Sequence, residues 1–388
     1  MDTPNRRWIT AGWIIAAAFV LMMFGRACPA HAQTGPATWT YGGFADVAYL
    51  YAPNDPRSGA FRSRGTAWHV DDVFLNMAGV YAKRAVTSDS RWGAEVTLHT
   101  GKDDEVFGFS ATAPNIAGDE WLRHLGPTNL SYLANIGNGL TVQSGIFSSL
   151  IGYDSLYAKD NFNYTRPWGA DFTPYLMLGV NASYPFTDKL TATAFAVNGY
   201  WHLADANSVP SSGGQLAYAL TPRTTVKETV LFGPHQSNTA FAYWRFISDS
   251  IVEHRRRRFV IAFNGHAATE RVDQADPLRA WWMAAQLPMQ WQVSGAWRIA
   301  LRPELAWDSA GRWTLAEQTV KAFTSTLEYR TSFKSLGTSV RFEHRIDNST
   351  GPQGGFFTDQ ESSPGVPALT PTQHLLLLGV IVRFDRSR

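Results

Sequence analysis

A chain of 388 residues with a formal charge of +2 and a slightly negative mean hydropathy is too polar for a bundle of membrane helices. Arg6, Arg7 and Arg26 against Asp2 account for that charge, so residues 33–388 are neutral by the same count and nothing calls for a nucleic-acid partner. The only cysteine is Cys28, at the end of the N-terminal segment, which excludes disulfides, thiolate metal sites and a cysteine nucleophile from the rest.

The first element is a leader. Arg6 and Arg7 form a basic n-region, residues 11–25 an apolar run, and Ala30-His31-Ala32 an A-x-A cleavage pattern. Cleavage between Ala32 and Gln33 is expected, leaving residues 33–388 as one domain. An anchor helix fits less well because the run is short. Acylation of Cys28 also fits less well, because Gly25 and Arg26 stand where a lipobox wants aliphatic and small residues.

Beyond residue 33 no apolar run approaches about 18 residues, so membrane crossing would have to be by strands. The 23 Phe, 15 Trp and 14 Tyr, in a chain that is not generally hydrophobic, suit strands with one oily and one wet face. Sixteen strands are predicted, at 38–51, 71–83, 91–100, 128–137, 140–151, 175–184, 189–199, 214–221, 224–233, 239–248, 257–266, 279–290, 297–308, 318–330, 336–346 and 372–384; fourteen is the next count. In 39–51, Trp39, Tyr41, Val47, Tyr49 and Tyr51 share a face. In 91–100, Trp92, Ala94, Val96 and Leu98 alternate with Arg91, Glu95, Thr97 and His99. In 297–308, Trp297, Ile299, Leu301, Leu305 and Trp307 oppose Arg298, Arg302, Glu304 and Asp308. In 336–345, Leu336, Val340 and Phe342 oppose Arg341, Glu343 and Arg345. Pro288 and Pro303 each remove a ladder donor, so each implies a bulge or a shifted boundary. The run His254-Arg255-Arg256-Arg257-Arg258 reads first as a solvated turn and strand start, with phosphate headgroups as the sharper alternative.

Connections alternate long and short. Gly137-Asn138-Gly139 and Pro185-Phe186-Thr187-Asp188 have turn chemistry, whereas 52–70, 101–127, 152–174 and 347–371 are long. Loops at one rim and tight turns at the other are the pattern of an outer-membrane barrel. Loop 152–174 is long enough to fold inward and narrow a pore, with Tyr164 and Arg166 as candidate solute contacts. The charges Arg91, Glu95, Arg302, Glu304, Asp308, Arg341, Glu343 and Arg345 fall on the polar face, where they would line a lumen, either selecting solutes by their field or stiffening the wall.

Asn161-Phe162-Asn163-Tyr164-Thr165-Arg166, then Thr173-Pro174-Tyr175, Gly179-Val180 and Ser183-Tyr184-Pro185, resemble in order the central motifs of the OmpL-like β-barrel porin family of bacterial outer membranes. The likeness continues through Val197-Asn198-Gly199-Tyr200, Leu301-Arg302-Pro303-Glu304 and Arg341-Phe342-Glu343-His344-Arg345, covering about 40–384. The family usually has Ser where Thr165 stands. The resemblance implies an outer-membrane location and a pore, and leaves the solute open.

No G-x-S-x-G, H-E-x-x-H or G-x-x-x-x-G-K-[ST] motif occurs, and the ten histidines form no i, i+4 pair. The reading is therefore an all-β, transmembrane antiparallel up-and-down barrel, a porin without enzymatic activity or cofactor, passing small hydrophilic solutes by diffusion. Its partners would be outer-membrane lipid and the barrel-assembly machinery, engaged through a last strand ending near Phe384. Monomer and homo-trimer both stay open. A barrel-borne envelope enzyme or scaffold, and a secreted carbohydrate-binding β-sandwich, are the alternatives.

Overall fold

The computed structural model describes residues 38–107, 119–199, 203, 209–235, 243–272 and 278–387, so the leader and its cleavage site lie outside the described residues. The strands are β1 (Trp39–Tyr51), β2 (Val73–Arg84), β3 (Trp92–Thr100), β4 (Thr128–Ala134), β5 (Leu140–Ser148), β6 (Leu176–Pro185), β7 (Leu190–Val197), β8 (Ser211–Thr221), β9 (Thr224–Pro234) and β10 (Trp244–Arg256). They continue as β11 (Phe259–Arg271), β12 (Arg279–Gln286), β13 (Met289–Gln292), β14 (Trp297–Asp308), β15 (Gln318–Phe333), β16 (Leu336–Thr350), β17 (Phe356–Ser363), β18 (Val366–Thr370) and β19 (Thr372–Ser387).

Consecutive strands of the barrel pair antiparallel, and β19 pairs with both β16 and β1, so the sheet closes. β12 and β13 both lie between β11 and β14 and are two halves of one strand, while β17 and β18 form a separate hairpin. The barrel therefore has sixteen strands, all of them near the predicted positions. No described helix is long and apolar enough to cross a membrane; the strands do so.

The alternation sorts the faces. Tyr41, Val47, Tyr49, Trp92, Val96, Leu98, Trp297, Ile299, Leu305 and Phe342 are exposed outward, whereas Asp46, Thr97, His99, Arg302, Arg341 and Arg345 are buried inside. Trp39 stacks on Tyr41 and meets Trp92 edge-on at 6.3 Å, and Trp297 lies 5.0 Å from Tyr329, giving an aromatic girdle at the end with the turns. That end is tight because the chain is chosen for it. Gly137 (φ 54°) and Gly139 (φ 99°) adopt left-handed backbone, and Asn138 donates its side-chain N–H to the carbonyl of Pro185 at 2.9 Å.

Two predictions shift. The tenth strand was expected at 239–248, but β10 runs on to Arg256, and the turn holds only residues 257 and 258. The inward row Ile247, Asp249, Ile251, Glu253 and Arg255 keeps its period through the basic run, and Glu253 pairs with Arg255 at 2.7 Å. The two prolines also differ in effect. Pro288 splits β12 from β13, while Pro303 stays inside β14 without breaking it. They sit at the same level of adjacent strands but face different neighbours: Leu287 N–H reaches the Pro303 carbonyl at 3.0 Å, and Ala262 N–H of β11 reaches the Pro288 carbonyl at 2.9 Å.

Candidate functional site

The connection between β5 and β6, residues 149–175, turns into the barrel. It leaves the wall between the fifth and sixth strands and is fastened to β14, β15 and β16, the thirteenth to fifteenth, half-way round. Apart from two short helical turns, Ala158–Asp160 and Trp168–Asp171, it has no regular structure. Buried irregular backbone must find hydrogen-bond partners that secondary structure does not provide. The charged wall supplies them.

Glu343 accepts the consecutive backbone N–H groups of Tyr164 (2.6 Å) and Thr165 (2.9 Å), one on each carboxylate oxygen, and the Thr326 hydroxyl at 2.6 Å. Arg341 donates to the carbonyls of Ala158 (2.8 Å), Asn161 (2.8 Å) and Asn163 (3.3 Å). Arg302 donates to the Thr165 carbonyl at 2.7 Å and Arg345 to the Arg166 carbonyl at 3.0 Å. Glu304 accepts Trp168 N–H at 2.6 Å, and Asp347 accepts the Trp168 indole at 2.8 Å. Charge-assisted bonds of this kind are worth about 1.5–3 kcal/mol each. The wall charges also balance one another: Arg345 reaches Asp347 (2.8 Å) and Glu304 (3.1 Å), and Arg341 reaches Glu328 (3.0 Å).

Of the residues singled out in the sequence, Tyr164, Arg166, Arg302, Glu304, Arg341, Glu343 and Arg345 thus come together, but beneath the loop. Tyr164, Arg166, Arg302 and Arg345 are 0 % exposed and Arg341 and Glu343 are 1 % exposed, so none of these six offers surface to an open lumen. The expected solute contacts at Tyr164 and Arg166 give way to anchorage: Tyr164 donates its hydroxyl to Asp46 (2.7 Å), and Arg166 pairs with Asp103 (3.5 Å). Asp308 lies elsewhere and caps the next loop, accepting N–H groups of Arg312, Trp313 and Thr314 at 2.8–2.9 Å. Arg91 and Glu95 are half-buried on β3 and its turn, apart from this cluster; Glu95 stands opposite Lys83.

Sequence reading missed the receptors for Tyr164. Register shifts at Asp46/Val47, leaving Asn76 as the extra residue of a bulge in β2. Asn76 and Met77 then both point inward, and Asn76 hydrogen-bonds the Tyr164 hydroxyl. Gly379 leaves the space for the Tyr164 ring, since a Cβ there would lie 2.9 Å from it. Gly379→Val is expected to dislodge Tyr164, lower the melting temperature of the detergent-solubilised barrel by several degrees, and raise its conductance; an unchanged melting temperature would contradict the packing.

Other connections converge on the loop from the far rim. Arg64 pairs with Asp171 at 3.0 Å and lies over the Trp168 ring at 4.9 Å, and Phe61 and Phe356 pack on that ring edge-on and tilted. Asp103 accepts Ala67 N–H at 2.7 Å. Its neighbour Asp104 lies 3.3 Å from His124 and 3.5 Å from His99. Burial pushes the Asp104 carboxyl up to about 7, Asp103 adds to this and Arg123 opposes it. A raised carboxyl pKa means the folded loop binds a proton that the unfolded loop has released, so this contribution to stability falls as pH rises from about 4 to about 7 and is flat above. Proteolysis of the 101–127 connection should therefore be slower at pH 6 than at pH 8 in the native chain, and Asp104→Asn should remove that difference.

On the side of the loop facing β9 and β10 the packing leaves a space. A cavity of about 380 Å³ lies between Tyr153, Asp154, Asn161 and Phe162 of the loop and Thr225, Lys227, Glu253 and Arg255 of the wall. The loop is stapled along its edge by Gly152 N–H to Asp249 (3.0 Å) and Tyr153 hydroxyl to Glu253 (2.7 Å).

Comparison with known proteins agrees with this geometry. The family model for beta-barrel porin-2, OmpL-like, matches residues 38–384. The chain belongs to that family. Among solved structures, the porin resembles the outer membrane channel DcaP of Acinetobacter baumannii (TM-score 0.57, 10% identity, 92% of this chain and 100% of that one). It also resembles the trimer form of OmpT, an outer membrane protein of Vibrio cholerae (0.56, 10%, 91% and 100%). An anion-selective porin from Comamonas acidovorans is a third (0.54, 13%, 90% and 100%). At these identities the likeness is one of fold. No curated protein matched the sequence. With the closed barrel, family membership makes this porin a channel of the bacterial outer membrane, and the soluble β-sandwich alternative falls.

Proposed function

We propose that small hydrophilic solutes diffuse passively through a single lane on one side of the inward loop. The observation that carries this is the asymmetry of the lumen. On the β1 to β3 side Phe44, Met77 and Tyr157 pack together and are buried, while towards β9 and β10 the cavity remains. The wall from β4 to β8 carries inward amides and hydroxyls: Gln143 donates to Asn129 (2.8 Å), Asn181 to Gln143 (2.9 Å), and Thr193 to Ser183 (3.1 Å). A polar lane of this kind, with amides and hydroxyls along one wall and Asp154, Lys227, Glu253 and Arg255 at the cavity, sets a size limit first and a charge bias second.

In this reading Arg302, Glu304, Arg341, Glu343 and Arg345 hold the constriction in place and do not touch solute. Neither catalysis nor a cofactor is needed for the transport. The porin-trimer likeness favours a homo-trimer, the outward Phe384 of β19 favours engagement of the barrel-assembly machinery, and the A-x-A pattern favours removal of residues 1–32. Swelling of proteoliposomes in a graded series of neutral sugars tests the lane: a sharp fall in rate between small and large sugars is expected, and equal rates throughout, or none, would refute it.

A further inference from the structure

We propose that the turn-side mouth of this porin holds a binding site for small multivalent oxyanions, formed by Arg298, Arg330 and Arg383. The proposal deepens the pore reading and rests on it. Arg298 is the second residue of β14, on the inward parity of Arg302; Arg330 lies near the end of β15, on the parity of Glu328; Arg383 lies near the end of β19, on the parity of Ile381. Arg298 pairs in register with Glu328, Arg330 with Ser339, Ser339 with Ile381, and Gly337 with Arg383. Followed through the register, Arg298 stands at the level of Glu328, Arg330 two residues further on and Arg383, opposite Gly337, four residues further on, across four neighbouring strands. Gly337 lets them converge: a Cβ there would lie 3.4 Å from Cγ and 3.5 Å from Nε of Arg383, whose side chain lies across that position.

The local charge is in surplus. Glu328 is the carboxylate among them, and it is already engaged by Arg330 (2.7 Å) and Arg341 (3.0 Å). Asp385, the next acid along β19, accepts the Tyr81 hydroxyl. Arg298 keeps a buried Nη1 with no hydrogen-bond partner, although Arg330, Glu328 and Arg383 all lie within electrostatic reach. The Arg383 side chain makes no ion pair or hydrogen bond among the described residues, its backbone alone pairing in the sheet. A buried donor without a partner is costly, and a planar guanidinium fork suits the paired oxygens of carboxylate, phosphate or sulfate. Two unneutralised guanidiniums beside a third in a narrow mouth concentrate such anions where the lane meets the periplasm.

Sulfate is the probe, with single channels recorded in potassium chloride. Sulfate added on the turn side should block the chloride current at lower concentration than when added on the loop side, and a salt gradient should give a reversal potential on the chloride side. Arg298→Gln with Arg383→Gln should weaken the block about tenfold, as expected for losing one charge-assisted bond, and move the reversal potential toward potassium. The two lysine replacements should keep the reversal potential and lose most of the block. Sulfate should also raise the melting temperature of the native barrel and not of the glutamine variant, a readout that needs no conduction. A conducting pore that prefers potassium, or is equally indifferent to sulfate in native and variant forms, overturns this proposal alone. A folded barrel that does not conduct overturns the pore reading, and the melting shift then still decides the anion site.

Discussion

Deleting residues 155–163 is expected to raise the single-channel conductance of this porin, on the order of twofold, without unfolding the barrel. The segment contains the carbonyl acceptors of Arg341, at Ala158, Asn161 and Asn163, and part of the loop face that bounds the cavity. Without it the loop no longer reaches across the lumen. Arg341 loses three acceptors but keeps Glu328 at 3.0 Å and gains water from the widened lumen, so its charge is not stranded. The strand ladder is untouched, and heat-modifiable migration in gels should persist. Conductance at the native level would mean that the loop does not limit the current.

The second large effect is at a single residue. Glu343→Ala removes the acceptor of two consecutive backbone N–H groups and of the Thr326 hydroxyl, all of them buried. Each buried donor left without its acceptor costs about 1–3 kcal/mol, which is borne by the docking of the loop rather than by the barrel. The loop should then detach part of the time, giving noisier and larger currents, and trypsin should cut after Lys159, which is 16 % exposed at its side chain in the docked loop. Glu343→Gln keeps one acceptor oxygen and should fall between. Quiet currents and resistance to trypsin in Glu343→Ala would show that the carboxylate is not the anchor.

Much of this architecture was legible in the sequence because lipid on one side and water on the other leave a period of two in every span. Trp297, Ile299 and Leu305 against Arg302 and Glu304 fix the face of β14 before any coordinate is known. The inward loop was legible as an option from its length alone. The fate of the wall charges was not, because their partners are backbone groups of a distant segment, and backbone carries no sequence signal. Arg341 looks the same whether it meets a solute or the carbonyl of Asn161. One clue was available: the motif 161–166 and the clusters at 302–304 and 341–345 are each conspicuous, and a long irregular segment inside a barrel needs charged or amide groups to satisfy it. The bulge at Asn76 was hidden for another reason. An extra residue breaks the period, so a parity rule misassigns one of the two neighbours Asn76 and Met77. The β10 boundary erred because Arg255 was read as turn, whereas Glu253 makes it an affordable lumen residue.

The claim beneath all of this is that a closed sixteen-strand sheet surrounds a wet lane narrowed by a segment of its own chain. Purified, heat-modifiable protein added to a planar lipid bilayer tests it most directly. Discrete, ohmic steps in potassium chloride, smaller than those of the form lacking residues 155–163, are the predicted result. A folded, inserted barrel that passes no ions would contradict it.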